Sequence, residues 1–184
     1  EMRSLIAPRM FIGVPSGITN VEMRAARDAA KNAGARDVFL IEEPVAAAIG
    51  AKLPIQKAVG SMIVDIGGGT TDIAVLSLNG LVVSRNLKVA GDHLNASIMS
   101  YIRDQFKVHV GEKTAEDAKI ALASIAHGES GKELVARGRD VVTGLPREVV
   151  ITDTDVRDAV AGQVDTMVET VRSVLETTPP EVLA

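Results

Sequence analysis

The apolar positions in the first part of the chain alternate between short runs and a helical spacing. Residues 9–14 ("RMFIGV") and 37–41 ("DVFLI") are short apolar runs typical of buried strands. Between them, Thr19 and Glu22 stand at the spacing of a capping box, and Gly34 stands where a helix C-terminus is expected. The pattern therefore predicts a strand, a helix and a second strand.

A second helix is expected directly after this strand. Pro44 suits the first helical position, which makes Glu43 the expected N-cap. The resulting order of strand, helix, strand and helix indicates an α/β fold. Residues 52–60 ("KLPIQKAVG") show neither period and are expected to form a linker.

After the linker the pattern changes to three consecutive strands, which we place at 61–66, 71–78 and 81–90. Asn79 and Gly80 are a strong signal for a hairpin turn between the last two strands. Three antiparallel strands followed by helices are unusual for a dinucleotide-binding domain.

Helical spacing returns at 92–106, where apolar residues recur with the period of a half-buried helix. Another helix is expected at 114–126, opened by Thr114 and Asp117 near the spacing of a capping box. Residues 133–151 favour strands with a turn at "TGLPR". An apolar stripe then predicts a long helix that ends before Pro179.

Composition restricts the function classes. The 184 residues contain no cysteine, which excludes a disulfide framework and thiol catalysis. A net charge of -4 and only 2% aromatic residues argue against a nucleic-acid partner. No apolar run is long enough to span a membrane. The chain starts at Glu1, so we expect an internal piece of a longer cytoplasmic protein.

The stretch "VDIGGGTTD" at 64–72 places three glycines between two strands. Backbone N–H groups of Gly67, Gly68 and Gly69 could approach an anion closely, and Thr70 and Thr71 would add hydroxyl donors. The plain alternative is a tight hairpin whose glycines only relieve strain. We favour phosphate binding because every residue type in the stretch has a use there.

Asp65, at the end of the preceding strand, is placed to hold a hydrated Mg²⁺ beside bound phosphates. Other phosphate motifs do not fit the sequence. The "GEKT" segment misplaces the glycine of a Walker A loop, and Asp72 stands where a dinucleotide fingerprint needs glycine. The three histidines lack the spacing of metal ligands.

"VDIGGGTTD" resembles the second phosphate loop of the superfamily of actin, sugar-kinase and heat-shock-chaperone ATPases. Neighbouring segments, among them "VPSGITNVEMRAARDAAKNAGARDVFLIEEPVAAAIG", "VAGDHLNASIMSYIR", "GEKTAEDAKI" and "TGLPRE", resemble the MreB family of bacterial actins. The resemblance runs almost end to end, apart from residues 126–140.

The resemblance implies an α/β actin-like ATPase (ribonuclease H-like) fold, with the end of the first lobe and most of the second. Residues 1–53 would complete the first lobe. Residues 54–92 and 151–184 would form the core of the second lobe, and residues 93–150 its small subdomain.

The resemblance also implies a site for ATP and Mg²⁺. Asp65 would hold Mg²⁺ through water and orient the attacking water, and Glu43 would position that water for hydrolysis. A plain N-cap role for Glu43 is compatible with this, since a carboxylate at a strand-to-helix corner can also face a cleft. The β- and γ-phosphates would be bound by Gly67, Gly68, Gly69, Thr70 and Thr71.

Further positions match the rest of the family's nucleotide site. Gly91 and Asp92 match a Gly-Gly-Asp motif at the edge of the nucleotide, although Ala90 replaces its first glycine. Glu116 and Lys119 match the pair that contacts ribose and adenine. As plain surface charges, the two would form an ordinary i,i+3 pair.

The first residues carry a possible membrane contact. Leu5 and Ile6 lie between Arg3 and Arg9, and apolar side chains flanked by cations suit insertion into an anionic membrane surface. The position matches a hydrophobic membrane-binding loop of MreB proteins. The alternatives are that both residues pack against the domain or belong to an irregular end.

The implied function is that of a filament-forming ATPase on the inner face of the bacterial cytoplasmic membrane. Its paired filaments would maintain rod cell shape together with proteins of cell-wall synthesis. Alternatives are a plasmid- or organelle-positioning actin, a small-molecule kinase or a chaperone of the same superfamily. An N-terminal phosphate loop and a late adenosine loop are expected outside these residues, so the fragment alone is expected to be inactive.

Overall fold

The computed structural model describes residues 7–125 and 131–183. The chain divides into two compact units. Unit 1 comprises Glu1–Asp65, Thr71–Leu87 and Thr170–Ala184, and unit 2 comprises Ile66–Thr70 and Lys88–Glu169. We describe each unit by itself.

Unit 1 begins with a parallel pair of strands. Strand β1 (Arg9–Val14) pairs with β2 (Asp37–Glu42), and helix α1 (Asn20–Asn32) connects them. The predicted capping box is confirmed: the Thr19 hydroxyl accepts from the Glu22 N–H, and the Glu22 carboxylate accepts from the Thr19 N–H at 2.9 Å. Local hydrogen bonds thus set the start of α1.

Helix α2 (Glu43–Gly50) follows β2 without a loop. The prediction that Glu43 is its N-cap is wrong by one residue, because Glu42 is the N-cap and makes no side-chain capping bond. Glu43 is the first helical residue, and Pro44 in the first turn lacks only an N–H that needs no partner there.

The second sheet of unit 1 has the order β3-β4-β5, from β3 (Ser61–Ile66), β4 (Thr71–Ser77) and β5 (Gly80–Leu87). Every residue of β4 is buried, as its central position requires. The predicted hairpin is present, but its turn residues are Leu78 and Asn79, with φ of 51° and 60°, and Ser77 pairs with Gly80.

Alternate residues of β4 pack into two apolar clusters of unit 1. Ala74 and Leu76 pack with Ala48 and Ile55. Ile73 and Val75 pack with Val174, near the end of the long C-terminal helix. Successive side chains of β4 point to opposite faces of the sheet, so the strand contributes apolar residues to the core on both faces.

Unit 2 is built on helix α3 (Gly91–Phe106) and helix α4 (Glu112–Leu122). The expected start of α4 at Thr114 is wrong, because the helix begins at Glu112 after an N-cap glycine at 111. Its N-cap makes no side-chain hydrogen bond, so the Thr114 and Asp117 pair lies inside the helix.

An antiparallel sheet of order β6-β7-β8 completes unit 2, from β6 (Val108–His109), β7 (Glu133–Asp140) and β8 (Pro146–Thr152). Helix α5 (Asp153–Thr177) is the predicted long helix, and the short α6 (Pro180–Leu183) follows it. The core of unit 2 joins both helices, the sheet and the first part of α5; its most buried large members are Ile98, Ile102, Val108, Val110, Ile151 and Val156.

Candidate functional site

The glycine loop, residues 67–70, is held to the start of α3 by its carbonyl groups. The Gly91 N–H donates to the Gly67 carbonyl at 3.1 Å, and the Asp92 N–H donates to the Gly68 carbonyl at 2.9 Å. The N-cap of α3, Ala90, has no side-chain acceptor for these N–H groups. The glycine loop therefore caps α3, since the first N–H groups of a helix need acceptors from outside it.

The N–H groups of the glycine loop differ in whether they are hydrogen-bonded within the protein. The Gly67 N–H is used internally, because it donates to the Thr70 carbonyl at 2.9 Å. Within residues 7–125 and 131–183, no hydrogen bond uses the N–H of Gly68 or Gly69, and both residues are exposed. These two groups are the available donors for an anion.

The space around the loop also explains part of its glycine content. A Cβ on Gly67 would lie 3.2 Å from the Thr70 carbonyl oxygen, which is a tight contact, whereas one on Gly68 would lie 3.5 Å from the Asp92 carboxylate, an ordinary van der Waals distance. A Cβ on Gly69 would meet nothing within 4 Å. Protein packing therefore gives no reason for Gly69, whereas close approach of a ligand to the backbone does.

Glu116 and Lys119 come together on α4 as the sequence predicts. The Lys119 Nζ donates to the Glu116 Oε2 at 2.7 Å and to the Gly91 carbonyl at 3.3 Å. Lys119 is mostly buried, with 17% of its side chain exposed, whereas 42% of the Glu116 side chain is exposed. The pair is thus anchored to the same glycine that holds the glycine loop.

Asn95 is a site residue that the sequence analysis missed. It is 4% exposed on α3, and its Nδ2 donates to the Glu116 Oε2 at 2.6 Å. The Lys119 and Asn95 hydrogen bonds hold the pKa of the Glu116 carboxyl below its ordinary value, so the group stays ionised. An amide at a buried position of a half-buried helix is the sequence signal that could have revealed it.

In unit 1, Glu43 lies where the parallel strands end. It follows the carboxyl end of β2, and its Cγ would be 3.3 Å from a Cβ placed on Gly13 near the end of β1. The absence of a side chain at Gly13 leaves room for Glu43 across the strand ends. Ligands of α/β sheets bind at this edge.

Asp72 is a second residue whose contacts the sequence analysis missed, having used it as part of the glycine-rich stretch and to exclude a dinucleotide motif. Its carboxylate is 4% exposed and accepts from the Asn86 Nδ2 at 3.1 Å with both oxygens. The Ser16 hydroxyl, in the loop after β1, donates to it at 3.4 Å. The start of β4 is thereby tied to the loop that follows β1.

The remaining predicted residues are placed as follows. Asp65 lies exposed near the end of β3, and Thr71 is fully buried at the start of β4. Leu5 and Ile6 lie outside the described residues. No helix in the described part of the chain is long and apolar enough to cross a membrane.

The described residues contain no group of three acidic or histidine side chains that could hold a metal ion by themselves. A single exposed carboxylate such as Asp65 fits Mg²⁺, which binds through one or two carboxylates, water and substrate phosphates. Unit 2 thus contributes the available N–H groups of the glycine loop and the Glu116 carboxylate. Unit 1 contributes the carboxylates of Glu43 and Asp65, which lie at the ends of strands.

Comparison with known proteins identifies the family of the chain. The family described as "MreB/Mbl protein" matches residues 1–184. The chain belongs to the MreB/Mbl family. It is 45% identical over 177 residues to the cell shape-determining protein Mbl of Bacillus cereus, covering 96% of this chain and 53% of that protein. It is 48% identical to the cell shape-determining protein MreB of Haemophilus influenzae, covering 95% and 50%.

The fold of this chain matches that of solved structures of actin-like ATPases. MreB5 of Spiroplasma citri bound to ADP has a TM-score of 0.91 and 39% identity over 95% of this chain. The same protein bound to AMPPNP has a TM-score of 0.89. A MamK double helical filament, at 20% identity and a TM-score of 0.77, shares the fold. The chain spans about half the length of these MreB/Mbl relatives.

Proposed function

We propose that this chain is part of an actin-like ATPase that polymerises into filaments at the inner face of the cytoplasmic membrane and maintains rod cell shape. The observation that carries the proposal is the glycine loop. Its carbonyls are held by α3, while the N–H groups of Gly68 and Gly69 have no partner among the described residues. Nucleotides in the MreB5 structures further support a phosphate ligand.

The ligand is ATP with Mg²⁺, and different site residues bind different parts of the nucleotide. The glycine loop with Thr70 and Thr71 binds the β- and γ-phosphates, and Gly91 and Asp92 lie at the edge of the nucleotide. Glu116 and Lys119 contact the ribose and adenine. Bound Mg²⁺ neutralises phosphate charge, and Asp65 holds it through water.

The reaction is ATP hydrolysis. A water molecule attacks the γ-phosphorus, the bond to the bridging oxygen of ADP breaks, and ADP, phosphate and a proton leave. Glu43 orients this water together with Asp65, and its place at the carboxyl end of β2 suits that role. The reaction belongs to a whole protein that also carries the expected N-terminal phosphate loop and adenosine loop.

In the cell, the protein forms paired filaments under the membrane and works with proteins of cell-wall synthesis and shape. Leu5 and Ile6 insert into the lipid surface. Two such side chains contribute at most about 3–6 kcal/mol, so membrane attachment depends on the many copies in a filament. The names of the MreB and Mbl relatives support the cell-shape role.

The test uses the full-length protein on anionic lipid monolayers, imaged by negative-stain electron microscopy with and without Mg-ATP. We expect paired filaments that depend on nucleotide. Glu43→Ala should leave filaments intact and lower phosphate release by at least about a hundredfold, because a positioned acid–base group is lost.

Glu42→Ala is the matched control, since Glu42 is the neighbouring carboxylate and makes no capping bond. It should retain phosphate release close to that of the unaltered protein. A protein that stays monomeric under every condition yet hydrolyses ATP would contradict the filament function. It would favour a small-molecule kinase or a chaperone instead.

A further inference from the structure

The two polar atoms of the Asn95 side chain have different hydrogen-bonding environments. Its Nδ2 makes a short hydrogen bond of 2.6 Å to the Glu116 Oε2, whereas its Oδ1 is buried and has no hydrogen-bond partner among the described residues. A buried acceptor without a donor lowers stability, so each such atom calls for a reason. An apolar side chain of similar size would avoid that cost.

The Glu116 carboxylate is held through one oxygen only. Oε2 accepts from Asn95 and from the Lys119 Nζ, at 2.6 and 2.7 Å. In the described part of the chain, Oε1 accepts no hydrogen bond, and 42% of the Glu116 side chain is exposed. Two donors on one oxygen orient the carboxylate, and the other oxygen is left as an acceptor for a ligand hydroxyl.

This acceptor has a defined relation to the glycine loop within unit 2. Lys119 also donates to the Gly91 carbonyl at 3.3 Å, and the Gly91 N–H donates to the Gly67 carbonyl at 3.1 Å. A ligand with phosphates on the loop would therefore meet Glu116 at a set distance. In ATP, the sugar hydroxyls and the adenine amino group can donate, and the sugar hydroxyls lie nearer to the phosphates.

We propose that Asn95 is a positioning residue that orients the Glu116 carboxylate and thereby sets the preference of the site for a nucleotide with sugar hydroxyls. This rests on the proposed function, since it assigns the sugar selectivity of the same site. Among the described residues, the Asn95 side chain hydrogen-bonds only to Glu116, so its effect on the ligand passes through that carboxylate.

The test compares ATP with 2′,3′-dideoxy-ATP, which lacks both sugar hydroxyls, by fluorescence titration of the full-length protein. The unaltered protein should prefer ATP. Asn95→Leu should weaken ATP binding by roughly three- to tenfold and leave binding of the dideoxy analogue nearly unchanged. Its melting temperature should not fall, because the unpaired Oδ1 is removed together with the amide donor.

Two further variants make the test specific. Asn95→Asp keeps the shape of the side chain but places a carboxylate against Glu116, so the preference for ATP should fall at least as far. Ser100→Ala is the control on the same helix, because in the described part of the chain the Ser100 hydroxyl hydrogen-bonds only with the exposed residues Arg103 and Asp104. It should keep the preference of the unaltered protein.

The possible results separate the two proposals. If the unaltered protein binds neither nucleotide, the proposed function fails and this inference fails with it. If the protein binds ATP and both Asn95 variants keep the full preference for it, only the inference is overturned. A loss of melting temperature with an unchanged preference would likewise assign Asn95 a purely structural role.

Discussion

The two units each hold a carboxylate, but by different means. In unit 1, Asp72 is 4% exposed, and among the described residues its carboxylate receives side-chain hydrogen bonds only from the neutral donors Ser16 and Asn86. In unit 2, Glu116 is 42% exposed and is held by the ammonium group of Lys119 together with Asn95. The first carboxylate depends on its donors to offset burial, and the second keeps an oxygen in solvent.

This difference indicates what each group contributes. A buried charge with neutral donors makes the fold sensitive to any change in those donors. A half-exposed carboxylate beside a cation adds little to stability, since solvent screens it, and remains available to a ligand. Asp72 is therefore expected to affect folding most, and Glu116 to affect binding most.

The largest expected effect tests the unit 1 side of this comparison. Asn86→Asp replaces the amide donor with a second carboxylate beside Asp72, which should lower the free energy of unfolding by about 3 kcal/mol. Urea denaturation measures it. Ser16→Ala, which removes only the 3.4 Å contact, should cost much less.

The exchanged pair Asp72→Asn with Asn86→Asp is the decisive control, because it restores one donor amide facing one carboxylate. Most of the lost stability should return in this double variant. If the double variant is as unstable as Asn86→Asp alone, the hydrogen bond between the two side chains does not hold Asp72, and the comparison fails.

A smaller effect tests whether the stability of unit 2 depends on packing more than on the Glu116 carboxylate. A Cβ on Gly138 would clash with the His109 carbonyl oxygen and lie 2.6 Å from the Val108 Cγ1. Gly138→Ala should therefore cost roughly 2–3 kcal/mol, measured by thermal unfolding. Glu116→Gln should change the melting temperature little.

Gly162→Ala is the matched control, since a Cβ at this position of α5 meets nothing within 4 Å. It should raise stability by about 0.5–1 kcal/mol, because alanine has less backbone freedom to lose than glycine. A Glu116→Gln protein that loses as much stability as Gly138→Ala would break the proposed difference between the units.

The smallest effect concerns a carboxylate at the β7–β8 turn of unit 2. Hydrogen bonds from the Thr143 N–H, Arg147 and the Val142 N–H hold the pKa of Asp140 at about 2, below its ordinary value of 3.8. A lowered pKa in the folded state gives stability above pH 3.8 that is lost as the pH falls toward 2.

Asp140→Asn should therefore be less stable than the unaltered protein at pH 6, and the two should converge near pH 2. Urea midpoints across this range measure the difference. An equal difference at both pH values would mean that protonation of Asp140 does not contribute.

Local sequence patterns predicted most elements because their causes lie within a few residues. The capping box of Thr19 and Glu22 and the periodic apolar residues of α3 are such cases. Two of the errors concern single residues. Pro44 was expected at the first position of α2, which Glu43 occupies, and Asn79 with Gly80 is a better turn pair by composition than Leu78 with Asn79.

In the candidate site, too, local motifs were identified from the sequence, whereas contacts between distant residues were not. The glycine loop, Glu43 and the pair Glu116 and Lys119 were identified from motifs that are contiguous or closely spaced, and their roles remain predictions. The residues that hold Asp72 and Glu116 in place were not identified. Ser16 is 56 residues from Asp72, and Asn95 is 21 residues from Glu116.

By itself, the sequence determined the order of the elements, the α/β character, the family and the position of the glycine loop, because these follow from spacing over a few residues and from contiguous motifs. Only the tertiary structure decided which N–H groups of the loop stay unpaired, which oxygen of Glu116 is held and which donors surround Asp72. Those outcomes depend on contacts between distant segments, whose geometry is set by how the elements pack.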